Sequence, residues 1–360
     1  MDKMEIKFTF DPAIKRGDYS SKYFLTTKKM LKNNANSNDV TLKFFHFSDD
    51  ITVCGIDECI QLIKFFIDKK DIKNINVWGK NDGEISQKNE PILVIRGDYR
   101  KFCCLENIID GILSRRSSIA TNCKKIIDLI GSDSMIFMGD RSDDYSLQSY
   151  DGYSAYYGGV RNFVTKKHVE FIRKCENVKY IGTLPHSAIQ QHNGSIVSTL
   201  KSFIKTFGNS INKVALIDYN NDCLKELDNI SNANIKIDYV RIDTSSRLID
   251  KSLIKTANNH SNKKQFYGVN HLLIKNVRNK LDDLDMLTTK IIVSSGLNYE
   301  KICDLIKKKS PVDMYGIGKS LLNIVVNYTG DLIKIGDKYK SKVGRSQDIE
   351  QHLSNLVKYI

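Results

Sequence analysis

Two segments near the C-terminus each join a short apolar run to a small-residue turn, and they constrain the fold more than any other part of the sequence. They are residues 291–296 and 312–318, and residues 299–308 between them have the apolar spacing of a helix. The pattern predicts a βαβ unit in which both strands end in glycine at one edge of a parallel sheet. Glycine there lets backbone N–H groups approach an anion, and the following helix adds the positive end of its dipole. The turns are therefore candidate phosphate sites, although turns of parallel sheets also use glycine for steric reasons alone.

Four further apolar runs precede this unit at the spacing of strands that alternate with helices. They are residues 135–138, 178–181, 214–217 and 237–242. Together with the two C-terminal strands, they predict an α/β barrel or a doubly wound parallel sheet. In a barrel, the loops after the last two strands frequently build a phosphate site. We therefore expect the chemistry of this half of the chain at the carboxyl ends of its strands.

The first hundred residues have a mixed α+β pattern instead. Their strand-like runs are residues 40–47, 75–78 and 92–95, and their helix-like segments are residues 23–32 and 56–68. A long helical region follows at residues 99–130, as one helix or two. The N-terminal part is thus predicted to form a unit of its own beside the barrel.

A hairpin-like pattern near the C-terminus, residues 332–335 and 341–343, would be out of place inside a barrel. We assign it to the N-terminal unit, which is then built from both ends of the chain. The prediction is an α+β domain of residues 1–115, completed by residues 322–360, and an α/β-barrel domain of residues 116–321.

Composition excludes several classes of protein. Hydrophobic residues make up 41% and charged residues 27% of the 360, which is ordinary for a globular chain. There is no run of 18 apolar residues, and the N-terminus lacks the apolar core of a signal peptide. We therefore expect a cytoplasmic protein without a membrane partner. The eight cysteines form no CxxC pair and no zinc-ligand spacing, which favours reduced thiols.

The net charge of +13 suggests either a nucleic-acid partner or a small anionic ligand. Lysines are spread along the whole chain, and no helix-turn-helix, RRM or KH pattern accompanies them. We therefore expect no nucleic-acid partner, and the charge supports an anionic substrate only as a general tendency.

Polar or glycine residues follow all six predicted strands of the barrel. They are residues 139–141, 182–187, 218–220, 241–247, 294–296 and 316–318. Because these ends meet at one edge, they bring together basic groups, acids, one histidine and two glycine turns. Such a set suits an anionic, phosphorylated substrate with a charge-separated transition state.

Structural explanations remain open for three of these residues. His186 could be a core histidine bonded to a backbone carbonyl. Asp243 could cap the following helix, and Arg241 could serve only as its ion-pair partner. The position of His186 between Gly-Thr-Leu-Pro and a serine at a strand end favours a functional role.

At these residues the chain resembles the nicotinate phosphoribosyltransferase family, in particular its short form. The resemblance extends from residue 23 to residue 345 and depends on the order and spacing of several motifs. The motifs are residues 90–93, 105–106 with 118–121, 182–186, 243–247, 291–297, 312–318, 328–331 and 342–345. Each motif alone is weak, but their order at these spacings is specific.

The resemblance implies an irregular (β/α) barrel of the type II phosphoribosyltransferase kind with a second α+β domain. It implies a homodimer with shared active sites, and an enzyme of NAD biosynthesis that condenses nicotinate with phosphoribosyl pyrophosphate. The products would be nicotinate mononucleotide and pyrophosphate. ATP hydrolysis through a phosphohistidine would drive the reaction, with Mg²⁺ as cofactor.

The same resemblance implies roles for individual residues. His186 is similar to the phosphorylated histidine, and Asp243 to the acid that binds the ribose hydroxyls, so both are assigned as catalytic. In the substrate-binding set, Arg141 and Arg241 are similar to arginines that contact the base and the phosphate. The 5′-phosphate cradle comprises Ser295, Gly296, Gly316 and Gly318. Tyr23 is similar to an aromatic residue that reaches the site of the partner subunit, and Thr183 and Asp218 are two further strand-end residues of the set. The metal ligands are not implied.

Two departures from the family pattern affect the base. Arg161 follows Gly158-Gly159-Val160 where the family has an aspartate, and Ser21-Lys22 replace the acidic residue usual before the tyrosine. The arginine either reinforces recognition of a carboxylate or reflects a shift in the alignment. The alternatives are a nicotinamide or quinolinate phosphoribosyltransferase of the same fold, or a non-catalytic barrel that binds other molecules.

Overall fold

The computed structural model of the chain describes residues 6–33, 39–182, 184–345 and 348–360. Its strands are β1 Asp39–His46, β2 Ile51–Thr52, β3 Asn76–Gly79, β4 Ile85–Ser86, β5 Leu93–Asp98, β6 Met135–Phe137, β7 Asn162–Phe163, β8 Lys179–Tyr180, β9 Val214–Leu216, β10 Tyr239–Ile242, β11 Lys290–Val293, β12 Met314–Ile317, β13 Tyr328–Ile335, β14 Lys338–Tyr339 and β15 Val357–Lys358. Its α-helices are α1 Ala13–Arg16, α2 Lys22–Lys32, α3 Ile56–Phe66, α4 Lys69–Ile72, α5 Tyr99–Phe102, α6 Glu106–Ile130, α7 Gln148–Tyr157, α8 His186–Gln191, α9 Ile196–Phe207, α10 Cys223–Asn232, α11 Ile254–Asn258, α12 His271–Asp283, α13 Tyr299–Lys307 and α14 Ile349–Leu353.

The second half of the chain forms a seven-stranded sheet in the order β8-β7-β6-β12-β11-β10-β9. Every neighbouring pair in it is parallel. The strands are short and mostly buried, as expected for a parallel sheet covered on both faces. β8 and β9 have no hydrogen-bonded pairing with each other among the described residues, so the curled sheet is an open half-barrel and not a closed barrel. The predicted parallel α/β architecture is confirmed.

The sheet contains one strand more than the sequence analysis predicts. β7 has only two residues, Asn162 and Phe163, and it lies between β6 and β8. The side-chain amide of Asn162 holds β7 beside β6, because Nδ2 donates to the backbone carbonyls of Asp133 (3.1 Å) and Met135 (3.0 Å). A two-residue strand that begins with a buried amide has no apolar periodicity by which to recognise it.

The βαβ unit near the C-terminus has the predicted arrangement. α13 connects β11 to β12, and the side chain of its N-cap residue Asn298 accepts a hydrogen bond from the backbone N–H of Lys301. Ile302 and Leu305 form the buried stripe of α13. The carboxyl ends of β11 and β12 therefore lie side by side, each followed by a turn.

The other large sheet has six strands in the order β14-β13-β1-β5-β3-β15, and its pairs are antiparallel. It combines strands from both ends of the chain. The hairpin β13–β14 returns at Lys338–Tyr339, three residues earlier than the predicted strand 341–343. The reason is the two-residue turn Gly336-Asp337, in which Gly336 has φ +55° and Ile335 pairs directly with Lys338.

The long helix α6 crosses the predicted domain boundary between residues 115 and 116. The predicted helical region divides into α5, a 3₁₀ turn at Cys103–Leu105, and α6. Ile109 and Leu113 in the first half of α6 pack into the core under the antiparallel sheet. Ile119 and Cys123 in the second half pack into the core of the α/β part. The division of the chain into two domains stays a prediction, and α6 belongs to both cores.

Candidate active site

A cleft of about 1830 Å³ runs along the inner face of the half-barrel. Its floor contains apolar strand residues, among them Ile136, Val214 and Ile292. Eight of the predicted site residues line it: Arg141, His186, Arg241, Asp243, Ser295, Gly296, Gly316 and Gly318. Because these residues follow five different strands, the fold brings together groups that are far apart in sequence.

Arg241, Asp243 and Ser294 form a closed ring of two hydrogen bonds and one ion pair at the ends of β10 and β11. Arg241 Nε donates to Ser294 Oγ (2.8 Å), and Arg241 Nη2 lies 3.1 Å from Asp243 Oδ2. The Ser294 hydroxyl donates to Asp243 Oδ1 (2.5 Å). The side chains of Arg241 and Asp243 are each 13% exposed, so the ion pair is shielded but remains open to the cleft. The pairing of Arg241 with Asp243 that the sequence suggests is present.

His186, the first residue of α8, contacts Asp218, which follows β9. Its Nε2 lies 3.2 Å from Asp218 Oδ1 and 3.1 Å from Asp218 Oδ2. The hydrogen bond to Asp218 raises the pKa of His186 above its usual value, and the charge of Asp243 adds to this. Partial burial and the charge of Arg241 oppose the increase in pKa. The imidazole is half-exposed whereas the Asp218 side chain is 7% exposed, so Asp218 supports His186 from behind.

The first glycine turn has an unusual backbone. Ser295 and Gly296 have φ +74° and +63°, both in the left-handed region. A Cβ on Gly296 would have no atom within 4 Å, so open space lies in front of it. Two successive left-handed residues turn the chain sharply after β11, and the buried Leu297 then anchors it. The backbone at this turn is accessible to a ligand in the cleft.

The second glycine turn is constrained by packing against the end of β6. A Cβ on Gly316 would lie 2.7 Å from the side chain of Met138, and one on Gly318 would lie 2.5 Å from the Met138 backbone oxygen. Both glycines line the cleft. The steric explanation for glycine therefore applies fully to Gly318, which meets backbone, and less strictly to Gly316, where the flexible end of the Met138 side chain can move.

Of the three remaining predicted site residues, two do not line the cleft and one lies outside the described residues. Tyr23 is on α2, where it is 63% exposed and packs against the ring of Phe24 at 4.3 Å between centroids. Asp218 lies behind His186, which lines the cleft, and contacts its imidazole. Thr183 lies outside the described residues. An exposed Tyr23 is compatible with a role at a partner's site, and that role stays a prediction.

Arg161 does not point into the cleft. Its Nη1 donates to the backbone carbonyls of Tyr156 (3.1 Å) and Val160 (2.8 Å), and its guanidinium lies 4.4 Å from the centre of the Tyr156 ring. These bonds fix the guanidinium against the turn that follows α7. They do not support a contact between Arg161 and a carboxylate in the cleft, and its part in base recognition stays a prediction. The exposed Arg141, which does line the cleft, remains as a basic group at the end of β6.

Sequence reasoning missed two polar residues of the cleft as site members. Ser294 lies between the apolar strand and the turn, and its hydroxyl joins Arg241 to Asp243. Lys319 follows the second glycine turn and adds a cation to the cleft wall. The parallel register could have indicated Ser294, because β10 and β11 pair Ile242 with Val293, which places Asp243 beside Ser294.

The described residues contain no group of three or more His, Cys, Asp or Glu side chains placed to hold a metal ion. All eight cysteines are free thiols, and six of them are buried. Among the described helices, none combines the length and the apolar character needed to cross a membrane.

Comparison with known proteins identifies related sequences. Residues 23–117 match the family described as quinolinate phosphoribosyl transferase, N-terminal domain. Nicotinate phosphoribosyltransferase pncB1 of Mycobacterium tuberculosis is 22% identical over 280 residues, which cover 74% of this chain and 55% of that protein. The match thus spans about half the length of this curated relative.

Solved structures give the same picture of the fold. The nicotinate-nucleotide pyrophosphorylase from Pyrococcus furiosus matches with a TM-score of 0.76 and 25% identity, covering 94% of this chain and 81% of that one. Human nicotinic acid phosphoribosyltransferase matches with a TM-score of 0.61 and 14% identity, covering 89% and 76%. These similarities confirm the predicted fold, an irregular α/β barrel together with an α+β part.

Proposed function

We propose that this chain, which is similar to type II phosphoribosyltransferases, transfers the phosphoribosyl group of phosphoribosyl pyrophosphate to nicotinate. The products are nicotinate mononucleotide and pyrophosphate. One observation carries the proposal: the Arg241–Asp243 pair, the His186–Asp218 pair and the Ser295-Gly296 turn lie at one edge of a half-barrel around a single cleft.

Transfer of a phosphoribosyl group requires positioning more than a protein nucleophile. The bond between C1′ and the pyrophosphate oxygen breaks as the pyridine nitrogen forms a bond to C1′, through a state with positive charge on the sugar. We assign Asp243 to the ribose hydroxyls and Arg241 to an anionic group of the substrate. The backbone at Ser295-Gly296 and at Gly316 and Gly318 is assigned to the 5′-phosphate.

ATP coupling through His186 is the second part of the proposal. When Nε2 carries the ring proton and donates a hydrogen bond to Asp218, the lone pair of Nδ1 is free to attack the γ-phosphorus of ATP. The Nδ1–P bond forms as the bond to the ADP oxygen breaks, and water later hydrolyses the phosphohistidine. Asp218 stabilises the positive charge that develops on the ring. ATP hydrolysis then drives nucleotide synthesis forward.

The base is assigned to the part of the cleft near Arg141. An arginine suits the carboxylate of nicotinate better than the amide of nicotinamide, because it offers charge-assisted hydrogen bonds. We propose a homodimer in which Tyr23 of one subunit stacks on the pyridine ring in the site of the other. The exposure of Tyr23 on α2 supports this assignment.

Mg²⁺ is proposed to enter as part of the substrate. The cleft offers single carboxylates rather than a cluster of three ligands among the described residues. Magnesium is usually bound through one or two carboxylates together with substrate phosphates. The ion bound to phosphoribosyl pyrophosphate therefore needs no site formed by the protein alone.

A second candidate is quinolinate as the base. The match of residues 23–117 to the quinolinate phosphoribosyl transferase family favours it. Quinolinate carries two carboxylates, and Arg141 and Lys319 both line the cleft as cations. The His186–Asp218 pair favours nicotinate, because the proposed ATP coupling through a phosphohistidine belongs to the reaction with nicotinate.

The test is a comparison of pyridine bases. The protein is mixed with phosphoribosyl pyrophosphate, Mg²⁺ and nicotinate, nicotinamide or quinolinate, with and without ATP, and nucleotide formation is followed. We expect the highest kcat/KM with nicotinate and stimulation by ATP. A higher kcat/KM with either other base would replace nicotinate, and no product with any base would reject the proposed activity.

A further inference from the structure

We propose that Ser294 is a positioning residue that keeps the Asp243 carboxylate available to the substrate's sugar, an inference that rests on the function proposed above. Ser294 is 2% exposed and follows β11 directly. Its backbone N–H donates to the carbonyl of Ile242 (3.0 Å), which extends the pairing of β10 with β11 by one step. Ser294 therefore lies beside Asp243 at the edge of the sheet.

The Ser294 hydroxyl uses both of its hydrogen-bonding roles within the ring. It accepts from Arg241 Nε at 2.8 Å and donates its only proton to Asp243 Oδ1 at 2.5 Å. Arg241 Nη2 contacts the other carboxylate oxygen at 3.1 Å. The shortest contact between the arginine and the acid thus uses Oδ2, and the Ser294 hydroxyl lies between Arg241 Nε and the other oxygen.

This arrangement differs from the usual pairing of arginine with a carboxylate. Without an intervening group, Nε and Nη2 of an arginine face both carboxylate oxygens in a two-bond fork. Such a fork would turn both oxygens of Asp243 toward Arg241. With Ser294 between them, Oδ1 is held by the serine and not by the guanidinium, so the carboxylate is oriented by two groups and each oxygen keeps a lone pair for a further donor. Those lone pairs are what a pair of ribose hydroxyls requires.

The position of Ser294 is fixed by its neighbours. A Cβ on Gly316 would be only 3.3 Å from the Ser294 Cβ, so β12 passes close to this side chain. The left-handed residues Ser295 and Gly296 follow immediately and restrict the backbone. A buried side chain on a closely packed backbone can orient its hydrogen-bond partners.

The test compares three variants in the full chain. Ser294→Ala removes the hydroxyl, Ser294→Thr restores it with one added methyl group, and Ser354→Ala removes an exposed serine near the C-terminus that does not line the cleft. We expect Ser294→Ala to lower kcat/KM for phosphoribosyl pyrophosphate by about 10- to 100-fold, the scale of a small misplacement of a reacting group. Ser294→Thr should recover most of the loss, and Ser354→Ala should stay within twofold of the unmutated protein.

Two further measurements separate positioning from simple loss of structure. The affinity for ribose 5-phosphate, measured by calorimetry, should fall in Ser294→Ala at an unchanged melting temperature. A crystal structure of Ser294→Ala should show Arg241 bonded to both oxygens of Asp243. Full activity of Ser294→Ala, or an Arg241–Asp243 contact that still uses one oxygen, would overturn the inference. If the unmutated protein makes no product with any base, the proposed function fails. The crystal structure of Ser294→Ala still tests separately whether Ser294 sets the contact between Arg241 and Asp243.

Discussion

The Nε2 atom of His186 lies 3.1 Å from one carboxylate oxygen of Asp218 and 3.2 Å from the other. This contact raises the pKa of the imidazole above its usual range. Phosphorylation needs the neutral ring, so the rate of ³²P incorporation from ATP should rise as pH increases through the raised pKa. In Asp218→Asn the charged partner is lost, and the midpoint should move to lower pH. An identical pH profile in the variant would contradict a role for Asp218.

The same contact predicts a pH-dependent contribution to stability. A raised pKa in the folded state means that His186 binds its proton more tightly there than in the unfolded chain. The contribution is fully present below the unfolded pKa of about 6.5 and is lost as pH rises through the folded pKa. Thermal melts of the parent and of Asp218→Asn should therefore differ more at pH 5.5 than at pH 9. A difference that does not change with pH would indicate a purely steric role.

Removal of His186 should separate phosphoribosyl transfer from ATP coupling. His186→Ala leaves Arg241, Asp243 and the glycine turns in place, so some ATP-independent synthesis should remain. ATPase activity and acid-labile ³²P incorporation should be lost. His192, which bonds to the Ala188 carbonyl at 2.8 Å, provides a matched control as His192→Ala. Persistent labelling of His186→Ala would show that another residue is phosphorylated.

Variants of Arg141 and Arg161 should separate an effect on recognition of the base from an effect on stability. Arg141→Gln should lower kcat/KM for nicotinate about tenfold or more, the scale of a lost hydrogen bond to a charged group. Arg161→Gln should keep the order of base preference and lower the melting temperature, because Arg161 bonds to the carbonyls of Tyr156 and Val160. A change of preferred base in Arg161→Gln would mean that its guanidinium turns into the cleft during catalysis.

The two glycine turns should respond differently to alanine. At Gly318 a Cβ would lie 2.5 Å from the Met138 backbone oxygen, so Gly318→Ala should cost about 1–3 kcal/mol of unfolding free energy. Gly296→Ala meets open space and costs only the left-handed backbone, about 1–2 kcal/mol. Urea unfolding measures both costs. If the phosphate binds at the first turn, Gly296→Ala should also raise the KM for phosphoribosyl pyrophosphate, and an unchanged KM would place the phosphate elsewhere.

The parts of the structure that the sequence predicts are those with local signals. β11 and β12 each have an apolar run and a glycine turn, α13 has an apolar helical spacing, and the antiparallel strands β1 and β5 are recognisable as strand-like runs. β7 has two residues and a buried amide, so no local pattern marks it. The role of Ser294 depends on Asp243, 51 residues earlier, and appears only once the parallel register is known.

The direction of a long side chain is also beyond the reach of a sequence pattern. Arg161 has the charge expected near a carboxylate, yet it bonds to the backbone carbonyls of Tyr156 and Val160. Gly316 and Gly318 illustrate the same limit. Their position at the end of β12 suggests a ligand, and the neighbour nearest to a Cβ at either position is Met138, which follows the adjacent strand β6.

The helix α6 has a consequence for motion within the molecule. It is one unbroken helix of 25 residues whose two halves are embedded in two different cores. Bending between those cores would have to break hydrogen bonds within the helix or expose apolar side chains from one of the cores. Any closing of the cleft around a substrate is therefore left to short segments after the strands, such as residues 139–147 and 294–298. Hydrogen exchange should accordingly be fast in those segments and slow throughout the middle of the helix.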